Sequence, residues 1–123
     1  MESLLLLFLL FTKHLLLDFK WQTPYMWKNK GTYGHPGGIL HAGLHALVTV
    51  HILCYFTTAG VILAIGIAEF LIHYHMDWFK MSYNKKKGWG PTTHEEFWFL
   101  TGIDQWVHAL TYLLIALVVM EVP

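Results

Sequence analysis

The chain has no arginine, a single cysteine and little charge of either sign. Charged residues make up 13% of its 123 positions and hydrophobic residues 55%. A soluble domain carries about a quarter charged residues, so the deficit points to an integral membrane protein. Without arginine there is no planar, bidentate clamp for carboxylate or phosphate; all eight basic residues are lysines. With a formal net charge of zero, nothing in the composition argues for nucleic-acid binding. Cys54 stands alone in an apolar segment. It cannot form an intrachain disulfide and is read as a small core or lipid-facing residue. The N-terminal "MESLLLLFLLFTKHLLLDFK" lacks both a basic start and a small-x-small cleavage site. It is expected to be a retained first helix rather than a signal peptide.

What is present is four apolar segments, none interrupted by proline. They predict helices over about 3–22, 38–56, 61–80 and 93–120, each near the roughly 20 residues that cross a bilayer core. "TTAG" (57–60) is expected to turn tightly between the second and third, and Thr92 and Thr93 to cap the fourth. The expected fold is all-α: a single integral membrane domain over 1–123, folded as a four-transmembrane-helix up-down bundle. Strands would leave unsatisfied edges in lipid. Two connections remain, "TPYMWKNKGTYGHPGG" and "MSYNKKKGWGP". They hold Lys28, Lys30, Lys85, Lys86 and Lys87, with Lys20 and Lys80 at their borders. The excess of lysine on these loops predicts a cytoplasmic position for both and an outer position for both termini, in an inner membrane. Lys13, inside the first helix, is expected to snorkel.

Each segment also carries ionisable residues four apart: His14, Asp18 and Gln22; His41 and His45; Glu69, His73 and Asp77; Asp104 and His108. Residues four apart share a helix face. In an up-down bundle the four sets fall at one depth and form a polar His/Asp layer near the cytoplasmic side. A carboxylate inside the membrane costs upward of ~2.5 kcal/mol, so such a layer needs mutual compensation. Divalent metal supplies it through neutral imidazoles and ionised carboxylates. The expected ligands are His14, Asp18, His41, His45, His73, Asp77, Asp104 and His108. Their N/O character suits Zn, Mn, Fe or Ni, and their number suits one or two ions. Asp18, Asp77 and Asp104 are also candidates for general base, and Lys80 for neutralising an anionic substrate. His35 and His51 are read as loop and outer-half residues. His75 points to another face, and His94 with Glu95 and Glu96 forms a solvated helix start. Glu69, Gln22 and Gln105 are expected to support the layer.

The stretches "KHLLLDFKWQTPYMWKNK", "HAGLHALV", "EFLIHYHMDWFK" and "GIDQWVHAL" together resemble a small phage and bacterial membrane-protein family of unknown function, domain-of-unknown-function family 3307. The shared pattern is H-x-x-x-D-F-x-x-Q, H-A-x-x-H, H-x-x-x-D-x-x-K and D-Q-x-x-H. It covers His14, Asp18, Gln22, His41, His45, His73, Asp77, Lys80, Asp104, Gln105 and His108. A looser similarity, in motif style alone, is to inner-membrane metal-dependent hydrolases. The expected function is therefore a membrane-embedded, metal-dependent hydrolase. Its substrate would be a phosphate-containing lipid or nucleotide at the cytoplasmic face. The alternative is a non-enzymatic phage-type membrane effector whose metal or polar layer only holds the bundle together. The bilayer is the expected partner, assembly into homo-oligomers is left open, and no nucleic acid is expected. Ion conduction is disfavoured by the apolar outer halves of the helices, and haem binding by the aspartates.

Overall fold

The computed structural model describes residues 1–122, and every regular element among them is helical. Helix α1 spans Glu2–Leu15 and runs directly into a π-helical turn, Leu16–Lys20. A short α2 follows over Pro24–Asn29, then α3 over Pro36–Leu53, α4 over Ala59–Lys87 and α5 over Glu95–Glu121. The helices α3, α4 and α5 are each long and apolar enough to cross a membrane. Helix α1 packs on α3 and α5, and α4 also packs on α3 and α5, so these four close a ring; α2 lies against α3.

The inside and outside of this ring are inverted relative to a water-soluble protein. Large apolar side chains such as Leu4, Phe8, Leu47, Leu63, Ile67, Phe99, Leu114 and Leu117 are exposed. An apolar exterior this extensive needs a cover, and lipid supplies one. Inside, one end holds an apolar core of Leu6, Leu10, Leu53, Ile65, Tyr112, Ile115, Ala116 and Val119. The other end holds buried Lys, His, Asp and Glu. Helices α3 and α4 approach closely at Gly66, where an added Cβ would come within 2.7 Å of Val50 Cγ2. Small residues permit such close packing where lipid provides no hydrophobic drive between helices.

Element boundaries differ from the sequence expectation where polar chemistry, rather than apolarity, ends a helix. The third helix continues past Lys80 to Lys87, because Lys85–Lys87 tolerate helix in water, and stops at Gly88 in the left-handed conformation (φ 68°). The first helix does not run regularly to Gln22. Its last turn is π-helical, with Trp21 N–H donating to the Leu16 carbonyl at 2.8 Å. The 24–35 connection contains α2, started by Pro24 at its first turn. Helix α3 starts earlier than expected, at Pro36. It is capped by His35, whose Nδ1 accepts from Gly37 N–H at 3.0 Å. It ends at Leu53, so the turn into α4 lies over 54–58 instead of 57–60. Helix α5 begins at Glu95 behind His94 rather than at Thr92 or Thr93.

Candidate metal centre

Each helix delivers its share of the polar layer from the predicted face. His14 comes from the last turn of α1 and Asp18 from the π-helical turn. A π turn widens the winding from four to five residues, and such insertions recur at functional sites. Here it leaves Asp18 able to reach two ways. Its Oδ2 lies 3.2 Å from His14 Nε2, while its Oδ1 faces α3. His41 and His45, one turn apart on α3, both turn Nε2 toward Asp18 Oδ1, at 2.9 and 3.1 Å. From α4, His73 brings its Nε2 to 3.1 Å from His41 Nε2 and 3.9 Å from Asp18 Oδ1. Asp77, the next turn of α4, has Oδ2 3.4 Å from both His41 Nε2 and His73 Nε2. From α5, His108 Nε2 lies 3.8 Å from Asp77 Oδ1 and 3.3 Å from Asp104 Oδ1. All eight predicted ligands are buried.

Two subsets converge closely enough to hold an ion: Asp18, His41, His45 and His73; and His73, Asp77 and His108. Within each, the ligand atoms lie within 4.8 Å of one another. His14 and Asp104 belong to neither. His14 is fully engaged in hydrogen bonds, with Nδ1 2.8 Å from Tyr112 Oη and Nε2 3.0 Å from Gln105 Oε1. Asp104 Oδ2 accepts from Lys80 Nζ at 2.7 Å and from Gln105 Nε2 at 3.0 Å.

The first subset fits a divalent cation on its spacing. Tetrahedral coordination at 2.0–2.1 Å puts neighbouring ligand atoms roughly 3.3 Å apart. Within this subset three contacts fall between 2.9 and 3.1 Å, and a fourth, His73 Nε2 to Asp18 Oδ1, is 3.9 Å. The chemistry fits as well. Two imidazole nitrogens facing each other at 3.1 Å share at most one proton, yet both also face a carboxylate. Converging lone pairs of this kind are what a cation stabilises.

Three lysines complete the layer. Lys13 is buried and pairs with Glu69 while donating to the His45 carbonyl at 3.1 Å; it does not snorkel. Its contact with His45 Nδ1, at 3.5 Å, is at the outer limit of a hydrogen bond. Lys30, on the connection after α2, is also buried. Its Nζ lies 2.9 Å from Asp77 Oδ2 and 3.9 Å from Asp18 Oδ1. Lys80 bonds Asp104 and is the most exposed of the three, at 14% of its side chain. Four buried carboxylates (Asp18, Glu69, Asp77, Asp104) thus meet three ammonium groups, one negative charge in excess when the histidines are neutral. Asp18 is the carboxylate without a close lysine of its own.

Other sequence expectations find their places. His51, His75 and His94 are exposed, and His75 bonds Tyr33 and the Leu71 carbonyl outside the layer. Gln22 Nε2 donates to the Asp18 carbonyl, and Gln105 bridges His14 and Asp104. Sequence reasoning missed Lys30 and Tyr112. Lys30 looks like any loop lysine, and Tyr112, although one turn beyond His108, looks like a core aromatic. Three surface clefts are lined by residues outside the layer: one by both ends of the chain, one between α3 and α4, and one along α5 at Trp98–Trp106. No curated protein and no solved structure matches the chain. A sequence model of the family described as "Protein of unknown function (DUF3307)" does match, over residues 6–122. That span takes in every residue of the polar layer from Lys13 to Tyr112, and the chain belongs to this family.

Proposed function

We propose that this protein is a membrane-embedded metal-binding protein: an up-down bundle of four membrane-crossing helices that seats a divalent cation between Asp18, His41, His45 and His73. The observation that carries this reading is the convergence of three imidazole Nε2 atoms on Asp18 Oδ1 in a buried layer with one uncompensated negative charge. Zn, Mn, Fe and Ni all suit these N/O ligands. The lysine-rich connections favour a cytoplasmic position for the layer's end of the bundle. Exposed Lys20, Lys28 and Lys85–Lys87 support that orientation. Lys30 and Lys80 do so less than expected, because both are used in ion pairs.

The enclosure of the layer shifts the balance between the two functions expected from sequence. A hydrolase needs an open coordination position and a cavity beside it. Asp18, His41, His45 and His73 are each no more than 5% exposed, and the clefts lie elsewhere. This favours a non-enzymatic role in which the ion ties four helices together. Hydrolysis of a phosphate-containing substrate remains the second reading. It is favoured by one observation: Lys80, Gln22 and Gln105 are only partly buried, so the layer meets the exterior on their side. When bound, a divalent ion supplies Lewis acidity there. Lys80 would bind the anion, with Asp104 holding its ammonium in place.

Titration of the detergent-purified, chelator-stripped chain with Co2+ tests the binding reading. Saturable visible absorption of a low-symmetry Co2+ site is expected, and it should be lost in Asp18→Asn and His45→Ala. Equal binding by both variants would refute the assignment.

A further inference from the structure

Asp77 presents its two carboxylate oxygens to different sets of partners. Oδ2 faces His41 Nε2, His73 Nε2 and Lys30 Nζ. Oδ1 faces His108 Nε2 and Lys80 Nζ, each at 3.8 Å. Neither oxygen meets a donor in hydrogen-bond geometry. On the Oδ1 side two more buried atoms lack a partner, Asp104 Oδ1 and His108 Nε2, although they stand 3.3 Å apart. The other oxygen of Asp104 is occupied by Lys80 and Gln105, which leaves Oδ1 aimed at His108. Buried polar atoms without partners are rare and costly, and three of them meeting in one place need a common cause. His73 belongs to both convergent subsets, and its Nδ1 is itself buried without a partner.

We propose that the layer holds two divalent cations that share His73: the first among Asp18, His41, His45 and His73, the second among His73, Asp77 and His108, with Asp104 Oδ1 set 3.3 Å from His108 Nε2 on the second ion's side. This inference rests on the metal-binding reading above and extends it to a second position. Paired ions carried by inward-pointing acids and histidines are an established use of helical bundles, with the ions roughly 3.5–4 Å apart in two-metal sites. The charge inventory sets the order of loading. The first ion more than cancels the one excess negative charge, so the second enters against net positive charge and binds more weakly. Lys80, 2.7 Å from Asp104, adds to that repulsion.

The test uses the full-length chain in detergent. Zn2+ is titrated against a chromophoric chelator, and Mn2+-loaded protein is examined by electron paramagnetic resonance. Two Zn2+ per chain are expected, in steps at least about tenfold apart in affinity, with an exchange-coupled Mn2+ signal at saturation. His108→Ala should abolish the weaker step and the coupled signal while leaving the tighter step. Should His108→Ala fail to fold, Asp104→Asn serves the same purpose. Saturation at one ion per chain, with His108→Ala and Asp104→Asn unchanged, would overturn the second position and leave the first standing. Binding of no ion by the unaltered chain would remove the metal reading itself.

Discussion

Lys30 offers a quantitative test of whether a cation belongs in the layer. Its ammonium is buried 3.9 Å from Asp18 Oδ1 and 2.9 Å from Asp77 Oδ2. An ion bonded to Asp18 Oδ1 at about 2.1 Å can then be no more than about 6 Å from Nζ. A unit charge and a divalent charge at that separation repel by about 1.4 kcal/mol at the dielectric of water and by roughly 5.5 kcal/mol at an effective dielectric of 20. The smaller figure already corresponds to a tenfold change in affinity. Lys30→Met removes the repulsion and also strips Asp77 of its closest cation, so both effects act in the same direction. Chelator-competition titrations of the two proteins in the same detergent should show divalent affinity at least about tenfold tighter in Lys30→Met. The variant should also melt lower than the parent without metal and regain stability when metal is added. Equal or weaker affinity in Lys30→Met would refute the reasoning, because a buried ammonium at this distance from a bound dication cannot be neutral to it.

Lys13 and Glu69 form a buried pair, so Lys13→Met alone strands a carboxylate and should cost about 3–5 kcal/mol in detergent unfolding. Lys13→Met combined with Glu69→Leu should recover most of that loss, and simple additivity of the two changes would contradict the pairing. Gly66→Val should push α4 from α3 at Val50, costing about 1–3 kcal/mol. It should also weaken ion binding without touching a ligand, because His41 and His45 ride on α3 and His73 on α4; unchanged melting and affinity would show that the close approach is not needed.

The layer was legible in the sequence because period and depth are properties of single helices. His41/His45 and His73/Asp77 share faces by spacing alone, and their places within their segments align them once the helices pack. The helices themselves were legible from their apolar runs, to within the turns where water-compatible residues extend or shorten them. What the sequence withheld was contact between segments distant in the chain. Nothing near Lys30 distinguishes it from Lys28, yet one is buried against Asp77 and the other is exposed. The π-helical turn was hidden because "LLDFK" fits a regular helix equally well, and only the requirement to reach both His14 and α3 gives Asp18 a reason to be wound differently. Lys13 was misjudged because snorkelling is the default for a lone lysine in lipid. The α4 acid Glu69, which gives it a buried partner, could be placed opposite only by the fold.

Metal content of the chain, purified without added metal and measured by elemental analysis against protein concentration, tests the central claim most directly. The account predicts at least one first-row divalent ion per chain, falling below a tenth in a folded His41→Ala, His73→Ala double variant. A metal-free chain that stays folded and cannot be loaded with Zn2+ or Mn2+ would contradict it, and would leave the layer held by its own hydrogen bonds and lysine ion pairs.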